Sequence, residues 1–310
     1  MVDEANAHGP DVDEMEAAEE YVETRQSAGV PASLLEYLHA CPVCEGAELR
    51  HYCRVPSLFN PGEYVHYERC ARCRTVLRNP RLPPEYRLSR YEDVVLPDAA
   101  KQLQPKSQVH YGYMMELVRR HLPEGCGRRL FDFGCGAGGF LIEARKAGFE
   151  VMGLELNRDL AEFVERERGI PVHQGLISDP SFADERFDVV ISSQVFEHLL
   201  DPRGTLADLA AHLRRPGLIL IEVPNLRDLR ERLRRGSTMN DSHLFYFTAG
   251  SLSRMLESQG FRVLAVEEGI RPWRFLSDPE NRPARGPLAA GEKLLSALQV
   301  KTGLSVLAGW

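Results

Sequence analysis

RRLFDFGCGAGGFLIEARKAGFEVMGLEL, residues 128–156, decides the fold. RRLFDF (128–133) is an apolar run of strand length, GCGAGG (134–139) a glycine turn, and FLIEARKAG (140–148) a helical stretch closed by Gly148, since glycine ends a helix without steric cost. FEVMGLEL (149–156) is a second apolar strand. Strand, turn, helix and strand in so short a span make a βαβ unit, whose strands are parallel and whose crossover is right-handed.

Outward from this unit the alternation continues. A charged helix from Arg158 to Arg168 leads to PVHQG (171–175) as a third strand, and FDVVISS (187–193) is a fourth. PRGTLADLAAHLRR (202–215) reads as a helix stopped by Pro216-Gly217, and LILIEV (218–223) as a fifth strand, apolar enough to be covered on both faces. Upstream, KSQVHYGYMMELVRRHL (106–122) spaces Val109, Tyr113, Leu117 and His121 at helical intervals, which predicts a helix with Tyr113 and Leu117 on its buried face. The fold class is α/β, a Rossmann-like doubly wound sheet. The sequence contains no internal repeat.

Gly134, Gly136 and Gly138 follow the first strand directly. A backbone that turns sharply and lets a ligand come close has no room for Cβ atoms, and the helix behind it offers unpaired N–H groups. Gly134, Gly136 and Gly139 also satisfy the dinucleotide pattern, so the loop alone fits a nicotinamide enzyme as well as another adenosine-bearing cofactor. Glu155, at the end of the second strand, stands where an acid accepts both hydroxyls of an adenosine ribose. Asp132 can instead cap the donors of its own turn.

Ahead of this domain the cysteines cluster. Cys41-Pro-Val-Cys44 and Cys70-Ala-Arg-Cys73 are two CxxC knuckles separated by 25 residues, and four thiolates are the ligand set of a closed, tetrahedral structural zinc site. A thioredoxin-type pair needs one CxxC beside a βαβ pattern, which residues 36–84 lack. Cys53, Cys126 and Cys135 remain, with Cys135 read as a small filler in the glycine turn. Arg69, Arg72, Arg74 and Arg78 read as a solvated basic face.

With 310 residues, 43% of them apolar, the chain has material for one large domain and a smaller one. The expected division is an acidic tail at 1–35 too poor in apolar residues to order itself, a zinc ribbon at 36–84, a linker at 85–105 opened by the Pro-rich NPRLPPEY (79–86), and the main domain at 106–310. A net charge of -7 gives no chain-wide field to hold a polyanion, so nucleic acid is not an expected partner. The acidic first twenty residues do not form a secretory signal, and no uncharged apolar stretch reaches 18 residues, so the expectation is a cytoplasmic protein without a membrane span. Nothing in the sequence fixes an oligomeric state.

DFGCGAGGF (132–140), Glu155 of GLEL, FDVVISSQVFEHLLDP (187–202), LRRPGLILIEVPN (213–225) and HLFYFTAGSLSRMLESQGF (243–261) resemble, in this order, the motifs of class I S-adenosylmethionine-dependent methyltransferases. The resemblance implies a seven-stranded sheet whose last strand runs antiparallel, with FRVLAVEE (261–268) and GLSVLA (303–308) as the final two strands. It implies S-adenosylmethionine as cofactor: Asp132 and the Gly134–Gly138 loop cradle its amino-acid end, Glu155 its ribose, and Leu176 and Ile177 its adenine, where the acid common in the family is missing.

A zinc ribbon followed by this domain is similar to the sugar C-methyltransferases that act on nucleotide-linked deoxysugars, in which the first module helps cover the substrate. A small biosynthetic acceptor follows from that resemblance, with an O-methyltransferase acting on a quinone, lipid or polyketide as the alternative. A non-catalytic zinc-ribbon binding protein is the rival from another class. His243, in NDSHLFYF (240–247), matches the segment that carries the base in those enzymes, with Ser242 replacing a glutamate and Asp241 as a substitute orienting partner. His198, in VFEHLLDP (195–202), is the second catalytic candidate, placed equally well in the cofactor pocket, and Glu197 beside it orients cofactor or helix. Tyr111, Tyr113, Phe245 and Tyr246 are candidates for an acceptor wall or for ordinary core. Arg271, Trp273 and Arg274 read as a surface loop.

Overall fold

The computed structural model describes residues 35–57, 64–83, 105–225, 242–268 and 303–310. The tail at 1–34, most of the expected linker, Asp241, Arg271, Trp273 and Arg274 lie outside these residues.

The amino-terminal unit is a small antiparallel sheet. Strand β1 (Leu49–Pro56) pairs with β2 (Tyr64–Cys70), Leu49 opposite Cys70 and Pro56 opposite Tyr64, and β2 pairs with β3 (Val76–Arg78), Tyr67 opposite Arg78. The two CxxC knuckles flank it and repeat one geometry: Glu45 N–H bonds the Cys41 carbonyl and Arg74 N–H the Cys70 carbonyl, and Glu45 and Arg74 both hold positive φ, 60° and 70°.

Helix α1 (Pro105–His121) leads into the larger unit. Its buried face is Met114, Met115, Leu117 and Val118, whereas Val109 is exposed and Tyr113 only half-buried. The expected stripe is therefore corrected: adjacent residue pairs, not the single row through Val109 and Tyr113, point at the sheet, because a helix on a wide sheet buries a broad arc. Then come β4 (Arg129–Phe133), α2 (Gly139–Lys146), β5 (Glu150–Glu155), α3 (Arg158–Arg168), β6 (Val172–Gln174), β7 (Phe187–Ser193), α4 (Pro202–His212) and β8 (Leu213–Pro224). After β9 (Phe245–Tyr246) and α5 (Ala249–Ser258), β10 (Arg262–Glu268) and β11 (Gly303–Gly309) complete the described elements.

Helix α4 ends three residues earlier than the sequence predicts. Leu213 is already extended and pairs with Phe187, and Arg214 reaches the Asp188 carboxylate at 3.4 Å, so sheet pairing overrides the helical tendency of LRR.

The seven-stranded sheet has the order β10-β11-β8-β7-β4-β5-β6. Strands β4 to β8 are mutually parallel where they pair, and β11 runs antiparallel to both β8 and β10. The fold is thus the Rossmann-like α/β sheet with a reversed last strand. Alternate residues feed two cores. Leu130, Val189, Leu218 and Leu220 pack with α1, α2 and α3 on one face, and Phe131, Val190, Ile219 and Ile221 pack with α4 and α5 on the other. Phe131 stacks on Phe187 at 4.7 Å between ring centroids. From β4 the chain moves outward to β5 and β6, then returns to β7 on β4's other side, so the crevice at this switch point opens at the strands' carboxyl ends.

The two units are physically joined. Strand β9, which follows β8 in the larger unit, pairs antiparallel with β3, Val76 opposite Tyr246 and Leu77 opposite Phe245, and becomes the fourth strand of the small sheet. Arg81 clamps Glu36 with two nitrogens at 2.7 and 3.1 Å and the Leu200 carbonyl at 2.8 Å. Arg254 of α5 bonds the Cys73 carbonyl at 3.2 Å. Among the described residues no helix is long and apolar enough to cross a membrane.

Candidate active site

The glycine loop joins β4 to α2, and Gly134, Gly136 and Gly138 all hold positive φ, at 79°, 54° and 74°. At Gly134 a Cβ would also sit 2.5 Å from Val195, so glycine is required there on two grounds. Gly134 and Cys135 both donate to the Leu154 carbonyl, which pins the loop to β5. Cys135 is buried and fills the space left by Gly153, where a Cβ would lie 2.6 Å from its sulfur. That is the filler role its size predicted.

At the end of β5, Glu155 accepts from Gly136 N–H at 2.8 Å through Oε2 and from Asn157 N–H at 2.9 Å through Oε1. Burial raises its pKa against these donors. Asp132, on β4, is 3% exposed; burial first and the Glu155 charge second push it up to about 7. Asp132, the loop and Glu155 thus converge at the carboxyl ends of β4 and β5. Leu176 and Ile177 lie just past Gly175, which follows β6 and whose N–H bonds the Glu155 carbonyl at 3.1 Å; Leu176 is exposed and Ile177 buried. Neither position is acidic; beyond them Asp179 accepts from Leu176 N–H at 2.8 Å and pairs with His173 Nε2 at 3.0 Å.

Sequence reading missed a further carboxylate. Glu222 closes the apolar run of β8, is 3% exposed, and meets His110 Nε2 of α1 at 2.8 Å and the Ser193 hydroxyl. Burial opposes its ionisation, but the His110 imidazole with the Ser193 and Gln194 side chains outweighs this and holds it below the usual range. Gln194 itself holds φ 60° and bonds the Glu222 carbonyl at 2.9 Å. The signal available in the sequence was one acid ending an otherwise apolar strand at the crevice side. Tyr111 lies near both Asp132 and Glu222 and is kept protonated by burial and by their charges.

His198 and His243, separated by 44 residues from the one to the other's neighbour Ser242, meet with ring centroids 4.8 Å apart beside the fully buried Glu197. His198 Nδ1 bonds the Ser242 carbonyl at 2.9 Å, and the Tyr67 hydroxyl of β2 bonds the His243 carbonyl at 2.9 Å. Phe245 and Tyr246 are core residues of the joined sheet, not an open wall.

The four cysteines converge. Cys41 and Cys73 sulfurs lie 3.7 Å apart and Cys44 and Cys70 sulfurs 3.6 Å, close to the roughly 3.8 Å edge of a tetrahedron with zinc–sulfur bonds of about 2.3 Å. The hydrogen bond from Cys41 holds Cys73 down to about 5 while Cys41 is pushed up. A Cβ at Gly46 would come 3.1 Å from the Cys70 sulfur, so the first knuckle leaves space for the second. Arg72 and Arg74 are exposed, in keeping with a solvated basic face, whereas Arg78 is buried and half-buried Arg69 lies over the Tyr52 ring, which corrects that expectation for these two.

A family model described as "Methyltransferase domain" matches residues 100–266. C-methyltransferase NovU of Streptomyces niveus is 27% identical over 237 residues, 72% of this chain and 54% of its own. A ubiquinone biosynthesis O-methyltransferase of Methylococcus capsulatus is 37% identical over 110 residues, 33% of this chain and 45% of its own. In the solved complex between the Haloferax volcanii Trm112 methyltransferase activator and a methyltransferase, one chain superposes with a TM-score of 0.52 at 16% identity, covering 71% of this chain and 96% of that one, a likeness of fold. The chain spans about half the length of the curated relatives it matches.

Proposed function

The chain belongs to the methyltransferase-domain family, and on that premise we propose that it moves a methyl group from S-adenosylmethionine to a small biosynthetic acceptor, a nucleotide-linked sugar first among the candidates. The observation that carries this reading is Glu155, whose carboxylate ties the glycine loop to the end of β5 in the crevice shared with Asp132. Each of its oxygens has a further lone pair, enough for the two ribose hydroxyls. Asp132 and the Gly134–Gly138 backbone hold the amino-acid end, and Leu176 and Ile177 flank the adenine. The cofactor's sulfonium and ammonium are cations, and they suit a crevice bordered by Asp132, Glu155 and Glu222.

Methyl transfer is an in-line displacement, so the acceptor must be aligned and, for a hydroxyl or carbon acid, must lose a proton. Proton removal is assigned to the cluster of Glu197, His198 and His243, of which His243 is the member the sequence singles out. The similarity to a C-methyltransferase extends over 237 residues, beyond the family match, whereas the O-methyltransferase similarity is confined to 110 residues. This supports methylation at carbon, as in the sugar C-methyltransferases that the chain resembles, over the O-methyltransferase alternative. Residues Cys41, Cys44, Cys70 and Cys73 hold one structural zinc, whose chemistry is to fix the two knuckles. Through β9 that module braces the segment carrying His243, which gives it a part in shaping the acceptor side.

Calorimetry with S-adenosylhomocysteine and with NAD, followed by a screen of nucleotide-linked sugars with methyl-labelled cofactor, tests the reading. Binding of the first ligand alone and label in a sugar is the expected result. Tight NAD binding with silence toward the other ligand would overturn it.

A further inference from the structure

Glu197 and His198 lie in the short turn Phe196–His198 after β7, and His243 lies just before β9. All three are pinned from behind. Leu244 N–H bonds the Glu197 carbonyl at 2.7 Å, Tyr67 holds the His243 carbonyl, and Ser242 holds the His198 ring. A carbonyl only accepts, so His198 Nδ1 carries a hydrogen, and Nε2 is the ring atom left to act as a ligand once it is unprotonated. That nitrogen faces Glu197 Oε1 at 3.8 Å, beyond hydrogen-bond length, across from a carboxylate with 1% side-chain exposure. One ligand atom from each of the three residues lies within 4.8 Å of the others. A ring N–H given to a backbone carbonyl is also the arrangement that orients a metal-ligating imidazole.

We propose that Glu197, His198 and His243 hold one divalent transition-metal cation, separate from the cysteine site. Two imidazoles and one carboxylate suit a first-row cation such as zinc or iron(II) better than magnesium or calcium, which take oxygen ligands. Bonds of about 2.0–2.2 Å to one ion set tetrahedral ligand atoms about 3.4 Å apart, so the side chains close in on the cation from their present spacing. Three protein ligands leave a position open for an oxygen of the acceptor. The inference rests on the reading that the acceptor is bound beside this cluster. A carbonyl oxygen on the cation makes the neighbouring C–H more acidic: its proton leaves to solvent, and the electron pair left on carbon attacks the methyl carbon as the carbon–sulfur pair leaves with sulfur. On this inference His243 serves proton removal as a ligand of the cation, in place of the direct base role that the sequence suggests.

The test needs no acceptor. Full-length protein dialysed against micromolar zinc should retain about two equivalents by elemental analysis, one of them at the cysteines. His198→Ala, His243→Ala and the isosteric Glu197→Gln should each retain about one, with affinity for the second cation lowered at least about 100-fold. Cobalt substitution supplies a second measurement: the thiolate-to-cobalt band should persist in these variants while the weaker visible bands of the nitrogen–oxygen site vanish. One equivalent in the parent protein, or a second equivalent that survives in all three variants, overturns the proposal. Failure to bind S-adenosylhomocysteine by a protein that holds two cations would sink the methyltransferase reading and leave the cation site standing.

Discussion

Glu155 holds the N–H groups of Gly136 and Asn157 before any ligand arrives. Glu155→Ala therefore removes the support of the loop as well as the ribose contacts, each charge-assisted bond contributing about 1.5–3 kcal/mol. Calorimetry should record a fall in S-adenosylhomocysteine affinity of at least about tenfold, and unchanged affinity would show that the ribose lies elsewhere. Asp132 gives a pH signature. Its folded pKa near 7 lies above the unfolded value of about 3.9, so the folded chain binds this proton more tightly and stability falls as pH rises from about 4 to about 7. At about 1.4 kcal/mol per pH unit the loss is up to about 4 kcal/mol. Asp132→Asn should thus be more stable than the parent at pH 8 and close to it at pH 4 in denaturant titrations without cofactor. Equal stability of the two proteins at pH 8 would argue against a charged, buried Asp132. His243→Asn should lower turnover about 10²–10⁴-fold while cofactor affinity changes little. Because His198 shares its cluster, His198→Ala should move the same parameter, and a purely cofactor-directed effect would return His198 to the cofactor pocket.

Helix starts show how local chemistry sets an element in place. Asn157 caps α3 by accepting from Leu160 N–H at 3.0 Å, and Asp201 caps α4 by accepting from Gly204 N–H at 2.9 Å. Thr248 and Ser251 form a reciprocal capping box at α5, although Ser251 stands where Glu or Gln is usual. Helix α5 follows β9 directly and reaches back to Cys73 through Arg254, so its start position also fixes the joined sheet. Thr248→Ala should cost about 0.5–2 kcal/mol, read as a lowered midpoint in thermal or denaturant unfolding. A variant as stable as the parent would show that tertiary packing alone sets this helix start. The early end of α4 shows the opposite balance, since pairing of Leu213 with Phe187 takes LRR into the sheet.

For the whole molecule, the shared strand makes the two units mechanically dependent. Zinc removal should loosen the knuckles and, through β3 and β9, the segment that carries His243. Hydrogen exchange after strong chelation should therefore quicken in residues 41–78 and in 242–247 together, while β4, β5 and β7 keep their protection. Acceleration confined to residues 41–78 would mean that β9 stays docked without the module.

Periodicity, glycine spacing and the order of apolar runs determined the α/β class, the five parallel strands, the glycine loop with Glu155, and the four-cysteine cluster. These are legible because each depends on residues close in sequence, where steric limits and hydrophobic alternation act directly. Three things were decided only by the tertiary structure. The first is the pairing of Val76 and Leu77 with Tyr246 and Phe245, which unites the two units. The second is the meeting of His198 with His243, and of His110 with Glu222, from separate elements. The third is the identity of the buried face of α1. Each depends on which strand ends and helix arcs come together across the crevice, and that is set by long-range packing, for which the spacing of residues along the chain carries no information.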